Sequence, residues 1–325
     1  MRRLRRRMAI LVLWICLAPS LHAALYTAGV VSTTTLRDAS RRREIPLLIY
    51  YPKSAQPERF PVIIFSHGAG GSRDGYDYLG RYWAEHGYVV IHPTHRGTDR
   101  SKLKTGRPLD NLKAIRGMMK DPDSFVQRPM DVSFILNSLP ALAGTVPPLK
   151  DRMDPTRVGV GGHSLGAATA LAVAGAVVWP PRQGRRAFGD NRPLAYLALS
   201  PQGANDEGGP FHSDSWSTVA RPVLVVTGTK DRGFGGEPPL WRAEAFRGLK
   251  PGHKYLAVLK GAAHMDFSGV QLDGGILRSP IQRWVQKSTV LFWDAYLKRD
   301  PEALSRLKSG GWPKVDGVGV RVEKK

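Results

Sequence analysis

The segment Gly162-His163-Ser164-Leu165-Gly166 sets a serine between two glycines, with a β-rich run before it and an alanine-rich helical run after it. This G-x-S-x-G spacing in a strand-to-helix context presents a nucleophile on a tight, strained turn. Side chains at the two glycine positions would collide with the neighbouring strand and helix. The turn projects Ser164 Oγ outward at a helix N-terminus, where the helix dipole favours developing negative charge. The chemistry expected is acyl transfer through a serine ester. A plain glycine-rich turn ahead of a helix is the bland alternative.

Acyl transfer needs donors for an oxyanion. His67-Gly68-Ala69-Gly70-Gly71 follows the apolar strand Val62-Ile63-Ile64-Phe65, and its small residues let backbone approach a substrate. The N–H groups of Ala69 and Leu165 are the expected oxyanion donors. His67 is a candidate pocket residue, with loop stiffening through hydrogen bonds as the alternative.

Serine also needs a base, and the base an orienting acid, in the chain order Ser, Asp, His. Asp231 follows the strand Val223-Leu224-Val225-Val226 through Thr227-Gly228-Thr229-Lys230. His264 follows the strand Tyr255 to Leu259 through Lys260-Gly261-Ala262-Ala263. Both lie after the carboxyl end of a strand, where open α/β sheets bind ligands. The catalytic residues expected are therefore Ser164, Asp231 and His264. His253 precedes its strand, His212 sits in a polar loop, and His163 points sideways from the turn. Asp266, Asp206 and Asp214 are weaker acids for the role. Gln202, His212 and Trp216 are further candidates for lining the pocket. His92 and His95 are close in sequence, but no third metal ligand accompanies them, and the mechanism requires no cofactor.

The elements that must position these residues alternate strand and helix, which favours a mostly parallel sheet flanked by helices. Leu25 to Thr35 and Ile45 to Tyr51 read as N-terminal antiparallel strands. Tyr76 to His86, Met130 to Leu139, Leu165 to Val178, Leu240 to Leu249 and Ser279 to Lys298 read as helices. Pro93 to Pro122 reads as surface loop with short helices, and the tail after Asp300 as peripheral. The connection from Leu199 to Arg221 is rich in Gly, Asp and Ser, so no large lid is expected.

Composition bounds the rest. A chain of 325 residues with 42% hydrophobic and 23% charged residues suits a packed domain rather than disorder. Arg2, Arg3, Arg5, Arg6 and Arg7, the apolar run Met8 to Leu17, and Leu21-His22-Ala23 read as a signal peptide over residues 1–23. Residues 24–325 would then be one exported domain, periplasmic or secreted. The single cysteine, Cys16, falls in the signal, which excludes disulfides and thiol catalysis from the mature protein. The net charge of +21 is dispersed and accompanied by no nucleic-acid motif. It reads as a solvated basic surface, with electrostatic association with anionic surfaces as the alternative and no nucleic-acid partner expected.

These residues resemble the serine-type α/β-hydrolases. Within that superfamily they are similar to platelet-activating-factor acetylhydrolase-like, dienelactone hydrolase-like and cutinase-like polyester hydrolase proteins. The resemblance spans most of residues 30–298 and is carried by Arg41 to Pro52, Pro61 to Gly71, the Ser164 turn, Thr227 to Asp231, and Gly261 to His264. It implies an α/β-hydrolase fold, triad roles for Ser164, Asp231 and His264, and an oxyanion hole at Ala69 and Leu165. Two departures stand out. Dienelactone hydrolases carry a cysteine where this chain has Ser164. The acetylhydrolases of animals carry their acid just after the strand matching Leu194 to Leu199, where this chain reads Ser200-Pro201-Gln202. The second departure argues against platelet-activating factor itself as the substrate.

The function expected is hydrolysis of short-acyl or polymeric carboxylic esters by a serine esterase, on a small-molecule or polymeric substrate. An amidase or peptidase on the same triad, and a non-catalytic binding protein on the same fold, are the alternatives.

Overall fold

A computed structural model describes residues 24–31, 34–105, 107–269 and 279–325. The signal-like segment 1–23 lies outside the described residues. The parallel heart of the sheet is built from β4 (Phe60–Ser66), β5 (Val89–Pro93), β6 (Met153–His163), β9 (Ala195–Leu199), β10 (Val223–Gly228) and β11 (Lys254–Leu259). Their order is β5-β4-β6-β9-β10-β11. On one side the sheet continues antiparallel through β3 (Arg43–Lys53) to β1 (Thr27–Val31), with β2 (Thr35–Asp38) also paired to β3. The register Thr27↔Lys53 bears out the expected N-terminal antiparallel pair. A separate two-stranded ribbon joins β7 (Val177–Val178) to β8 (Arg186–Ala187).

The parallel strands read as continuous apolar runs because helices cover both faces. Successive side chains of β4 alternate between two cores. Val62 and Ile64 pack with α3 (Pro122–Thr145) and α4 (Leu165–Val173), through Val132, Ile135, Leu139 and Leu171. Ile63 and Phe65 pack with α1 (Asp77–Glu85) and α6 (Pro280–Trp293), through Leu79, Trp83, Trp284 and Phe292. α4 is buried along its whole length. Its alanines let it lie close on β6 and β9, directly behind Ser164.

Two regions differ from the sequence reading. Within the stretch expected as surface loop with short helices lies α2 (Pro108–Lys120), a longer helix of 13 residues with Pro in its first turn and only Met118 buried. The tail is not merely peripheral. After the short α5 (Glu244–Gly248) and α6, α7 (Pro301–Ser309) buries Ala303 and Leu307 in the second core. Then β12 (Val320–Lys324) pairs antiparallel with β11 and forms the sheet edge. The charges of Arg321, Glu323 and Lys324 suit an edge strand that must not recruit another chain.

Candidate active site

The parallel strands deliver their loops to one edge of the sheet. Ser164 follows β6 directly and caps α4 with φ +56° and ψ −119°. A non-glycine residue holds such a conformation only where its surroundings over-determine it. They do so here. A Cβ on Gly162 would lie 2.2 Å from Gly166 O, and one on Gly166 would lie 2.0 Å from Ser66 O. The Ser164 N–H donates to Leu199 O at 2.9 Å, which pins the turn to β9. No hydrogen bond to Ser164 Oγ forms among the described residues. The residue lines a cavity of about 240 Å³ shared with Ala69, His163, Phe234, His264 and Met265.

Asp231 and His264 are brought together by loops that interlock. Lys230 N–H donates to Ala262 O at 2.9 Å, and Gly261 N–H donates to Thr229 Oγ1 at 2.9 Å. Gly228 must lack a side chain, because a Cβ there would come 2.1 Å from Ala262 O. His264 Nδ1 lies 3.0 Å from Asp231 Oδ1. A carboxylate accepts, so Nδ1 carries the proton and Nε2 is left basic. Thr227 Oγ1 donates to Asp231 Oδ2 at 2.9 Å, and Arg242 Nε lies 2.6 Å from Oδ1. Burial alone would raise the Asp231 pKa. The His264 hydrogen bond and the Arg242 charge outweigh it and hold the carboxyl below its ordinary value. Burial lowers the His264 pKa, with the Asp231 hydrogen bond pushing back.

The His67–Gly71 loop spends most of its donors internally. Gly68 N–H donates to Tyr76 Oη at 3.3 Å, Gly70 N–H to Thr98 O at 2.8 Å, and Gly71 N–H to Gly68 O at 3.1 Å. Among the described residues no acceptor takes the Ala69 N–H. Leu165 opens α4, where first-turn N–H groups have no partner within the helix.

His163, beside Ser164, ties three loops together. Its Nε2 faces the His264 carbonyl at 3.1 Å and must therefore carry the proton. Its Nδ1 then accepts from Tyr76 Oη at 2.8 Å, and the same Tyr76 oxygen receives Gly68 N–H. Burial drives the His163 pKa well below its ordinary value, consistent with a neutral ring that both donates and accepts.

The other pocket candidates are placed differently. His67 is buried, with Nδ1 donating to Gly68 O at 2.7 Å and Nε2 accepting from His95 N–H at 3.0 Å. It stiffens the loop and does not line the cavity. Trp216 is a core residue stacked on Phe211, and His212 stacks on Trp179 and does not line the Ser164 cavity. Gln202 is buried and lines a neighbouring cleft of about 440 Å³ that shares Phe234 with the Ser164 cavity. A larger hollow of about 720 Å³ lies against the C-terminal segment at Trp284 and Trp312 and contains none of these residues. The rival His253 faces Tyr296, and Asp266 accepts from Ala263 N–H within its own turn.

Several supporting residues carried no local sequence signal. Ser200 Oγ lies 2.6 Å from His264 Nδ1. Arg242 reaches Asp231 from a turn eleven residues away, while also donating to Ser200 O and Pro201 O. Arg128 is buried in α3 and donates to Thr98 Oγ1, to Thr169 Oγ1 and to His67 O. Ser66, His95 and Asp131 form a second Ser-His-Asp chain, with His95 Nε2 3.0 Å from Ser66 Oγ and Nδ1 3.0 Å from Asp131 Oδ2. All three are fully buried, and Arg41 and Arg43 also bind Asp131. This second chain has no access to substrate and supports the loop from beneath.

Comparison with known proteins agrees with this architecture. The family "Platelet-activating factor acetylhydrolase, isoform II" matches residues 46–115, which hold β4, the His67–Gly71 loop and β5. A platelet-activating factor acetylhydrolase of Bos taurus is 29% identical over 35% of this chain and 32% of its own length. One of Canis lupus familiaris is 30% identical over the same shares. The chain thus spans about a third of the length of the curated relatives it matches. Those relatives are carboxylic ester hydrolases. The chain has an α/β-hydrolase fold and is similar, over part of its length, to the platelet-activating factor acetylhydrolases.

Proposed function

We propose that this chain is a serine esterase that cleaves carboxylic esters through an acyl-enzyme. The observation that carries the reading is the His264 Nδ1–Asp231 Oδ1 contact of 3.0 Å, made by a ring that opens on the same small cavity as Ser164. Ser164 Oγ attacks the ester carbonyl while His264 Nε2 takes its proton. Asp231 keeps the Nδ1 proton in place and stabilises the imidazolium. The N–H groups of Ala69 and Leu165 receive the oxyanion. His264 then protonates the leaving alcohol, and a water activated by the same nitrogen releases the acid.

A cavity of about 240 Å³ favours a short acyl group. Acetyl or similarly short esters are the proposed substrate class, in keeping with relatives named acetylhydrolases. Export by cleavage after Ala23 is part of the proposal, as is attraction of the cationic protein to anionic surfaces. N-terminal sequencing of the processed protein tests the first, and salt-dependent binding to anionic vesicles the second.

The central test is labelling with a fluorophosphonate together with hydrolysis of p-nitrophenyl esters of increasing chain length. Labelling is expected in the wild type and absent in Ser164→Ala, with kcat falling by roughly 10⁴–10⁶-fold. A folded wild type that neither labels nor turns over any ester would sink the reading and favour a binding protein on this fold. Amide turnover equal to ester turnover would favour an amidase.

A further inference from the structure

Arg128 lies on α3 and is 1% exposed, yet its hydrogen bonds go to neutral oxygens. Its Nε donates to Thr169 Oγ1 at 3.1 Å, its Nη1 to Thr98 Oγ1 at 2.7 Å, and its Nη2 to His67 O. Among the described residues no carboxylate pairs with it. Asp131, three residues along the helix, is taken by Arg41, Arg43 and His95. Arg41 also holds Asp38, so the two carboxylates are already matched by two guanidiniums. Arg128 is left as a buried cation without a counter-ion, which is costly unless an anion forms near it.

Each of these contacts leads to one of the N–H groups assigned to the oxyanion. His67 O lies two residues before Ala69. Thr98, whose hydroxyl Arg128 holds, accepts the Gly70 N–H on its carbonyl at 2.8 Å, one residue after Ala69. Thr169 Oγ1 donates to Leu165 O at 2.9 Å within α4. The two sides also touch directly. A Cβ on Gly166 would lie 2.9 Å from the same His67 O, and one on Gly68 would lie 3.3 Å from Ser164 Cβ. One guanidinium, a planar and rigid fork, therefore fixes the loop bearing Ala69 against the helix start bearing Leu165. Spacing of this kind matters, because oxyanion donors must lie about 2.7–3.1 Å from the place where charge develops.

We propose that Arg128 is a positioning residue for the oxyanion: it sets the Ala69 and Leu165 N–H groups at their working separation, and its unpaired positive charge favours the negative charge that develops between them. The proposal rests on the esterase reading above and adds a residue to it.

Arg128 then acts on the transition state and little on the bound ester, so its effect falls on kcat and not on KM. A ketone that forms an oxyanion in the site reads the same interaction without turnover. With 1,1,1-trifluoroacetone, Ser164 Oγ bonds to the ketone carbon, its proton passes to His264 Nε2, and the carbonyl π pair becomes an oxyanion facing the two N–H groups.

Hydrolysis of p-nitrophenyl acetate and inhibition by 1,1,1-trifluoroacetone test it together. Arg128→Lys and Arg128→Met are expected to lower kcat roughly 10–100-fold, Met more than Lys, with KM within about threefold of the wild type. The inhibition constant of the ketone should rise by the factor by which kcat/KM falls. Thr169→Val, which cuts the arm to Leu165, should show the same pattern at smaller size, and it carries the test if an Arg128 variant gives no cooperative thermal transition. Folded variants with unchanged kcat, or with a lower kcat and an unchanged ketone inhibition constant, would overturn the role, as would a loss borne by KM alone. A wild type that neither hydrolyses the ester nor binds the ketone would instead remove the esterase reading, and the role of Arg128 with it.

Discussion

Ser200 Oγ sits 2.6 Å from His264 Nδ1, alongside the contact of that nitrogen with Asp231. Ser200 is fully buried with φ +52°, held by its N–H to Val226 O at 2.7 Å and by Arg242 on its carbonyl. It stands just past β9, where the resemblance to animal acetylhydrolases would put the acid. The serine therefore steadies the imidazole that Asp231 polarises. Ser200→Ala is expected to lower kcat/KM about 3–10-fold, the worth of one hydrogen bond, while Ser164 still reacts with a fluorophosphonate. An unchanged kcat/KM and an unchanged pH profile would show that the contact carries no weight.

The proposed base must be neutral to act. Burial lowers the His264 pKa below 6.5, so the acid limb of kcat/KM should fall below pH 6.5, with activity lost as pH drops through it. Arg242 contributes to that lowering by its charge. Arg242→Gln should move the limb to higher pH as well as reduce stability. A pH–rate profile of both proteins decides it, and a limb that stays put in the variant would separate Arg242 from the titration.

Gly162→Ala and Gly166→Ala each place a methyl against backbone carbonyl oxygens that cannot swing away. Overpacking of this kind costs about 1–3 kcal/mol or more. Both variants are expected to melt several degrees lower and to lose fluorophosphonate labelling. Full labelling by a variant of unchanged melting temperature would mean the turn tolerates the methyl.

Acid should destabilise the fold well before the carboxylates titrate. Burial holds His92 and His95 down to about 4, and lowers His67 and His163 well below their ordinary value. The unfolded chain takes up protons near pH 6.5 and the folded one does not. Stability is thus complete above pH 6.5 and is lost as pH falls toward 4, at about 1.4 kcal/mol per pH unit for each such histidine at full slope. Thermal unfolding measured from pH 7.5 to 5 should show a steep decline. A flat profile would contradict the neutral burial of these rings.

The residues proposed for catalysis were legible because each follows an apolar strand directly, on a loop of small residues. Ser164, Asp231 and His264 are local patterns of this kind. Their supports were not. Ser200 and Arg242 act through contacts made only when β9, β10 and the turn at Pro239–Ala243 come together, and a polar residue in a loop has no period to reveal its partner. The sequence put His67 in a loop that lines the cavity and Trp216 in one that does not, and it could not say where either side chain turns. One turns into the loop's own hydrogen bonds and the other into the core. The length of α2 is not legible in the sequence because the helix buries almost nothing, so its apolar spacing is faint. β12 escaped notice because its charged edge reads like a tail.

The reach of His163 has a kinetic consequence. Through Tyr76 to Gly68, and through its own Nε2 to the His264 carbonyl, it couples the turn bearing Ser164, the proposed nucleophile, to the loops on either side. None of the three can drift without breaking a buried bond in another, so the reacting geometry is set before any substrate arrives. Little binding energy is then consumed in ordering it. The wall in front of these loops is formed by the ring of Phe234, lying edge-on against His264, and by the half-exposed Met265.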